Sequence, residues 1–484
     1  MSQSFPSLVI AADRLEPQGA FAEAQAEFLS PDPGVVKELD ALLEAKKIGV
    51  VAHFYMDPEL QGVLSACSWP HVHISDSLAM ADAAIGMVEK GCEQIVVLGV
   101  DFMSENARAM LDAAGLNSVP VYRVAADPIG CSLAESAEAK AYGAYLTEAR
   151  ETPRSLHVVY INTSLRTKAK AHALVPTITC TSSNVVATVL QAFAQIPDVQ
   201  VFFGPDTYMG RNLAELFRSL ADMPDETIGA LHPAHDQASI RAMLPRFRYF
   251  EQGTCIVHHM FGADVARQVR EDYPEVFVTA HLEVPGEMFE VALERQREAD
   301  AGVVGSTSDI LGFITRKVGE AAEAGGAKRL RFVLGTEAGM ITAIVNGLQA
   351  ILQGTEVEAE IIFPVASEAI AQDPESPLVV LPGVSGGEGC STAGGCATCP
   401  YMKMNSLDAL LSVVRKVGVA DDDLAPYEPH KYVELVDGRT AADIGGEPIL
   451  HMRGFQKQKA LPAALVEDVE TRHAKRAEQE LAVR

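Results

Sequence analysis

Three cysteines lie far apart in the chain, and each could supply a thiolate ligand to a metal. Cys131, Cys255 and Cys399 each follow a separate series of strand-like segments. If the fold brings them together, three thiolates can hold a [4Fe–4S] cluster whose fourth iron stays open as a Lewis acid. Three thiolates and a water can instead bind zinc, and a lone cysteine can pack as a small hydrophobic residue. The spacing alone leaves all three interpretations open.

More cysteines lie close to Cys399. Cys390, Cys396 and Cys399 fall in GCSTAGGCATCPYMKMN, which begins in a glycine-rich loop. The CxxC at 396 and 399 is typical of a redox pair or of half a metal site. We interpret Cys390 and Cys396 as a reversible disulfide pair that leaves Cys399 as the ligand. Eight cysteines in 484 residues are too few for a disulfide scaffold, so most are expected to be reduced.

Polar residues recur at the ends of predicted strands in three places. The strand ends VVAH, VYIN and VTAH place side chains at equivalent points: His53, Asn162 and His281. The polar steps ISDS, TCTSSN and VGSTSD come next and contain Ser77, Ser182 and Thr307. A Gly-x-acid strand end then follows each time, at Asp101, Asp206 and Glu337. One of the three lone cysteines comes after each of these, and the repeated order predicts an internal threefold repeat.

Strands and helices must alternate to position these residues. β-branched runs followed by Ala- and Leu-rich amphipathic segments predict parallel strands covered by helices. The sequence therefore predicts an α/β fold of three related α/β/α domains around a pseudo-threefold axis. The active site is expected at the centre, because ligands gather beyond the carboxyl ends of parallel strands. The alternative for each polar residue is that it only caps the next helix.

The predicted segments are an N-terminal arm (1–45), domain 1 (46–150), domain 2 (151–270), domain 3 (271–420, with a Gly-rich and acidic insertion at 353–395) and a C-terminal tail (421–484).

Charge and composition exclude several classes of protein. The chain has 39 basic and 65 acidic side chains, a formal net charge of −26, which argues against binding to nucleic acid or to an anionic membrane surface. No apolar run approaches the roughly 18 residues of a membrane span. A hydrophobic content of 48% excludes a disordered chain. We therefore expect a soluble acidic protein, and small anionic substrates are not excluded, because a pocket can supply donors locally whatever the total charge.

The sequence resembles the quinolinate synthases, iron–sulfur enzymes of NAD biosynthesis. The motifs that carry the resemblance occur in the family's order from residue 48 to about 415: HFYMDPELQ, ISDS, VLGVDFM, VYINTS, TCTSSN, FFGPD, CIVHH, TAHLEVPGE, VGSTS, LGTEAGM and CPYMKMN. The sequences TCTSSNVV and TAHLEVPGEMF and the GGEGC loop are most similar to those of the longer plant-type form. That form often carries an N-terminal sulfur-transfer activator domain and a plastid transit peptide, and neither is recognisable here. The resemblance implies a cytoplasmic protein, or one of the plastid stroma if it derives from a plant-type precursor.

The resemblance also implies a cofactor, substrates and partners. One [4Fe–4S] cluster per chain would be held by the cysteines in IGCSLAE, GTCIVHH and ATCPYMKMN, which are Cys131, Cys255 and Cys399. The family condenses iminoaspartate with dihydroxyacetone phosphate to give quinolinate, phosphate and water. The expected protein partners are an oxidase or dehydrogenase that supplies iminoaspartate and a donor of the cluster. The residues that match the family's iminoaspartate contacts are His53, Ser77, Tyr160, Asn162, Ser182, His281, Glu283 and Thr307, while Tyr55 and His258 match positions near the reaction centre.

The reaction needs proton transfers, which points to particular residues. Glu283 is the leading candidate for general acid–base catalysis, because strand alternation places it on the same face as His281. His53, His281 and Tyr55 are expected to orient carboxylates or move protons. Two alternatives stay open: another [4Fe–4S] hydro-lyase with a different anionic substrate, and a cluster-based redox sensor that uses the CxxC region.

Overall fold

Short buried strands alternate with helices along the chain. The structure is a computed structural model that describes residues 4–364, 399–436 and 438–483. Its strands are β1 Ser7–Ile10, β2 Leu15–Gln18, β3 Ile48–His53, β4 Val72–Ser75, β5 Gln94–Leu98, β6 Val121–Tyr122, β7 Ser155–Tyr160, β8 Thr177–Cys180, β9 Gln200–Gly204, β10 Phe247–Tyr249, β11 Phe277–His281, β12 Gly302–Gly305, β13 Lys328–Gly335, β14 Val357–Ile362, β15 Leu435–Val436 and β16 Arg439–Thr440.

Helices follow most of the strands. They are α1 Ala20–Phe28, α2 Pro33–Ala45, α3 Pro58–Ala66, α4 Ser77–Glu89, α5 Asp101–Ala113, α6 Ser132–Glu138, α7 Lys140–Glu151, α8 Leu165–Leu174, α9 Val185–Gln195, α10 Thr207–Leu220, α11 Asp225–Leu231, α12 Gln237–Met243, α13 Ala263–Asp272, α14 Gly286–Ala299, α15 Thr307–Ala324, α16 Ile341–Leu352, α17 Leu407–Lys416, α18 Ala441–Gln458 and α19 Ala463–Val483. Short 3₁₀ turns occur at Leu244–Arg246, His258–Met260, Ala338–Met340, Met402–Met404 and Asp421–Tyr427.

The chain divides into two compact units. The first comprises Met1–Val100, Ser118–Ile129 and Ile256–Glu428, and it contains the sheets β4-β3-β5-β6 and β12-β11-β13-β14-β1-β2. The second comprises Asp101–Asn117, Gly130–Cys255 and Pro429–Arg484, and it contains the sheet β10-β9-β7-β8 and the hairpin of β15 and β16. The predicted α/β class with parallel sheets flanked by helices is confirmed. The three-domain division and the pseudo-threefold axis stay predictions.

The three larger sheets share one strand order. The four consecutive strands are β3–β6 in one sheet, β7–β10 in the next and β11–β14 in the third. In each set the first strand lies between the second and the third, the fourth lies beyond the third, and all these pairs are parallel. Continuously buried strands such as β7, which is buried at all six positions, are typical of sheets covered on both faces. Ligands bind where the strand order reverses, which is at the first strand of each segment. These first strands are β3, β7 and β11, whose ends carry the predicted site residues.

Two segments differ from the sequence expectation. Within the predicted N-terminal arm, β1 and β2 form strands, and β1 pairs antiparallel with β14. β14 itself lies inside the segment 353–395, which was expected to be a Gly-rich and acidic insertion. Its sequence VEAEII buries most of its side chains between β13 and β1. Such pairing over some 350 residues depends on long-range contacts that local sequence patterns do not reveal.

No helix in the described ranges is both long enough and apolar enough to cross a bilayer.

Candidate active site

A buried carboxylate lies between two histidines in the first unit. Glu283 follows β11, and its side chain is only about 4% exposed. One carboxylate oxygen is 3.1 Å from Nδ1 of His258, and the other is 3.7 Å from Nδ1 of His281. The two imidazole rings stack with centroids 4.9 Å apart. The strand end and the 3₁₀ turn at His258–Met260 thus bring three ionisable side chains into one buried cluster.

Two of the histidines have the same local geometry. The backbone N–H of Tyr55 donates to Nδ1 of His53 at 3.2 Å, and the backbone N–H of Glu283 donates to Nδ1 of His281 at 3.3 Å. In both neutral rings Nδ1 is therefore the acceptor, and the proton lies on Nε2. Burial lowers the pKa of His53 to about 4 and that of His281 to about 3. Both rings are consequently neutral donors at physiological pH.

Two buried ring nitrogens of this cluster are available to bind a ligand. Nε2 of His258 and Nε2 of His281 are buried and have no hydrogen-bond partner among the described residues. An unsatisfied buried polar atom typically costs about 1–3 kcal/mol, so its presence calls for an explanation. A bound substrate or metal group would supply the missing partners.

Tyr55 packs against two of the histidines. Its ring lies against His53 at a centroid distance of 4.7 Å and against His258 at 6.2 Å, in edge-to-face arrangements. Its hydroxyl is 3.0 Å from Oγ1 of Thr336. The structure therefore brings together five of the residues predicted from the sequence: His53, Tyr55, His258, His281 and Glu283.

Glu337 lies in the same unit as this cluster, and no catalytic role was predicted for it. It is buried, and burial together with the negative charge of Glu283 raises its pKa well above the usual range, which favours the protonated acid. One of its oxygens accepts the backbone N–H of Cys399 at 3.2 Å. The only signal in the sequence was its place in the repeated Gly-x-acid pattern, as GTE.

The hydroxyls at two helix starts are not the helix caps. α4 is capped by Asp76, whose carboxylate accepts the N–H groups of Leu78 and Ala79, so Ser77 is the first helical residue. α15 is capped by Ser306 in a capping box, and Thr307 is the first helical residue. Ser77 and Thr307 are thus not needed for capping. Parallel pairing also puts these helix starts beside the histidines, since His53 is in register with Ser75 and His281 with Gly305.

Three predicted residues lie at strand ends of the second unit. Tyr160 ends β7 and is buried, and Asn162 follows it in the loop before α8. Ser182 lies between β8 and α9 and is half-buried, in a turn where Oδ1 of Asn184 accepts the N–H of Thr181 at 2.9 Å. Tyr160 is in register with Cys180, which repeats the strand-end relationship of the first unit.

The three candidate metal ligands are half-buried thiols. In the second unit, Oγ of Ser132 donates to the carbonyl of Thr254 at 3.0 Å, so the direct neighbours of Cys131 and Cys255 are in contact. Cys255 is bonded to Ile256, where the first unit resumes. Cys255, His258 and Glu283 all carry donor atoms of types that can hold a metal ion.

The other cysteines divide into two groups. Cys92 and Cys180 are buried and Cys67 is half-buried, and burial raises the pKa of Cys67 and of Cys92 to about 11, which keeps the thiols protonated. This agrees with the predicted packing role. Cys390 and Cys396 lie outside the described residues, so their disulfide stays a prediction.

The site has buried acid–base side chains at the ends of parallel strands, and it also has thiols, which suit a soft metal group. These features are typical of an α/β enzyme with a candidate metal site. Residues 37–420 match the family model described as quinolinate synthetase A protein. The chain therefore belongs to the quinolinate synthase family.

Relatives from plants and bacteria are similar to most of the chain. The chloroplastic quinolinate synthase of Nicotiana tabacum is 54% identical over 97% of this chain and 67% of its own length. That of Arabidopsis thaliana is 52% identical over 98% of this chain and 68% of its own length. The quinolinate synthase of Prochlorococcus marinus (strain MIT 9303) is 27% identical over 80% of this chain and 86% of its own length. The chain thus spans about two thirds of the length of its plant relatives.

Proposed function

We propose that this chain is a quinolinate synthase that condenses iminoaspartate with dihydroxyacetone phosphate to give quinolinate, phosphate and water. The observation that carries the proposal is the cluster of Glu283 with His258 and His281, in which buried ring nitrogens face no partner among the described residues. Family membership supports the choice of substrates. The site supplies what such a condensation needs, namely donors for carboxylates and a buried proton acceptor.

Neutral donors are suited to holding the carboxylates of the diacid substrate. The Nε2–H groups of His53 and His281 can donate to a carboxylate without requiring a buried positive charge. The hydroxyls of Ser77 and Thr307 lie at the N-termini of α4 and α15, where free backbone N–H groups also favour an anion. Tyr160, Asn162 and Ser182 are proposed to contribute in the same way from the second unit.

Glu283 is proposed to move protons during enolisation, ring closure and dehydration. Its carboxylate lies between two imidazoles, with one oxygen 3.1 Å from Nδ1 of His258, and it is proposed to exchange protons with the substrate. Tyr55, hydrogen-bonded to Thr336, is placed to polarise a substrate hydroxyl. Glu337, held as the protonated acid, is a further proton donor beside this cluster.

Cys131, Cys255 and Cys399 are proposed to hold one [4Fe–4S] cluster per chain. Thiolates suit such a cluster, and the orphaned nitrogen of His258, three residues after Cys255, fits a site built to face a further group. When bound, the cluster supplies a Lewis acid through the iron that has no protein ligand. Zinc bound by the same thiols is the competing interpretation.

An assay of the product tests the proposed function. The protein reconstituted with iron and sulfide under anaerobic conditions is expected to contain about four iron atoms per chain and to form quinolinate from iminoaspartate and dihydroxyacetone phosphate. Cluster spectra without any quinolinate would contradict the proposal. They would favour a hydro-lyase with another substrate or a redox sensor.

Thr307 distinguishes substrate binding from helix capping. T307V removes a hydroxyl that does not cap α15, so we expect kcat/KM for quinolinate formation to fall about 10-fold or more, as for a lost hydrogen bond to a charged group. S306A removes the cap itself and is expected to lower the free energy of unfolding by about 1 kcal/mol. Steady-state kinetics and urea unfolding of both variants check this. A T307V enzyme with unchanged kcat/KM would show that the hydroxyl has no role in binding.

Location and partners remain part of the proposal. The chloroplastic relatives support the plastid stroma for a plant-type precursor of this chain, with the cytoplasm as the alternative. An oxidase or dehydrogenase would supply iminoaspartate, and a cluster-assembly protein would supply the iron–sulfur centre.

A further inference from the structure

A fully buried lysine holds the loop that follows Tyr160 and contains Asn162, which are two of the proposed substrate contacts. Lys168 lies on α8 in the second unit and has no exposed surface. Its Nζ donates to the carbonyl of Ile161 at 3.1 Å and, in a shorter contact, to the carbonyl of Thr163. These two carbonyls flank Asn162 on either side. The ammonium group of Lys168 therefore contributes directly to the position of the Asn162 backbone.

The loop has few other means of holding this shape. Its own bonds are the N–H of Thr163 to the carbonyl of Ile161 at 2.7 Å and the hydroxyl of Thr163 to the carbonyl of Tyr160 at 3.1 Å. The N–H of Ile161 continues the sheet by donating to the carbonyl of Cys180 at 2.9 Å. Ser164, the last residue of the loop, caps α8 by accepting the N–H of Thr167 at 3.1 Å and donates to Glu138 at 2.8 Å. The side chain of Lys168 adds the bonds from α8 to the two carbonyls on either side of Asn162.

A buried glutamate and a tyrosine complete a network around this lysine. Glu105, on α5, is about 1% exposed, and it accepts the N–H of Leu165 at 3.0 Å and the hydroxyl of Tyr432 at 2.8 Å. Burial lowers the pKa of Lys168 and raises the pKa of Glu105, while the attraction between the two groups opposes both shifts. Leu165 is the first residue of α8, so Glu105 also fixes the helix that carries Lys168.

Tyr432 comes from a part of the chain beyond the family match at residues 37–420. The guanidinium of Arg166 lies 4.9 Å from its ring, and the same guanidinium pairs with Glu434 at 2.8 Å. α18, which follows in this segment, packs against α8. The C-terminal segment therefore contributes Tyr432 directly to the network around Lys168.

Burying an amine and a carboxylate is expensive, and hydrophobic residues of similar volume would often stabilise a fold as well or better. The bonds that Lys168 makes are directed to the strand-end loop and not to the apolar core. We propose that Lys168, Glu105 and Tyr432 are positioning residues that fix Tyr160 and Asn162 for recognition of the diacid substrate. The expected effect on KM for iminoaspartate rests on the proposed function. The expected effect on the order of the loop that contains Asn162 does not.

The variant K168M tests the inference against K170M, which removes a lysine from an exposed position of the same helix. K168M is expected to raise the apparent KM for iminoaspartate, generated from oxaloacetate and excess ammonia, at least tenfold. The KM for dihydroxyacetone phosphate is expected to change less than threefold. Hydrogen–deuterium exchange of the amides at 161–165 is expected to become at least tenfold faster in K168M, and K170M is expected to match the wild type in every measurement.

The outcomes separate the two proposals. Faster exchange in K168M alongside a wild-type protein that forms no quinolinate would support the loop-fixing role and contradict the proposed function. An active, folded K168M with wild-type exchange and wild-type KM would overturn the positioning role. If circular dichroism shows K168M to be unfolded, Y432F replaces it: a KM raised about threefold with faster exchange supports the network, and wild-type values overturn it.

Discussion

Replacing Glu283 by glutamine is expected to reduce kcat for quinolinate formation by about 100-fold or more. Glutamine keeps the size of the side chain and can still contact His258 and His281, but it cannot accept a proton. General acid–base groups typically contribute 10²–10⁴-fold to catalysis. The measurement is steady-state quinolinate formation by reconstituted protein at equal iron content per chain.

A nearby surface glutamate provides the matched control for this variant. E290Q makes the same chemical change at an exposed position of α14, seven residues further along the chain, and should leave kcat unchanged. If E283Q kept more than half of the wild-type kcat, Glu283 would not be the proton-transfer group. His258 or Glu337 would then be the next residue to replace.

Alanine at any one of Cys131, Cys255 and Cys399 is expected to abolish both cluster and activity. The loss of one of three thiolate ligands leaves two irons without a protein ligand, so the cluster should not survive purification. Each variant should remain folded, because all three thiols are only half-buried and contribute little packing. Iron counting, visible absorbance and circular dichroism after anaerobic reconstitution measure the three properties separately.

Cys67 is the control for this series because it is half-buried as well. Its thiol is held protonated by burial, which raises its pKa to about 11, so it is a poor ligand. C67A is expected to be brown and active. A brown, active protein from C131A, C255A or C399A would remove that residue from the proposed ligand set, and zinc in place of iron would favour the competing interpretation.

The elements around the site followed well from local sequence. β3, β7 and β11 are short, mostly apolar and largely buried runs that end at a polar residue. The predicted strand ends carry His53 and His281 as expected. Continuous burial and amphipathic periodicity are local properties, so they can be read without knowing the partners of each element.

The caps could not be assigned from the sequence. Asp76 and Ser77, or Ser306 and Thr307, are adjacent residues that can both cap a helix, and the choice depends on one residue's backbone angles. Glu337 was likewise seen only as part of a repeat. Its burial beside Glu283 and its contact with Cys399 join positions separated by 54 and 62 residues.

The amino-acid sequence alone determined the α/β class, the repeated strand ends and the side chains that lie at them, because these follow from hydrophobic periodicity and residue type. Tertiary structure decided which of these side chains touch, which nitrogen of His53 and of His281 carries the proton, and that β1 joins β14. It also revealed the buried Lys168 beneath the Asn162 loop. Such features depend on distances between residues far apart in the chain and on the removal of water from charged groups, and both arise only once the chain has folded.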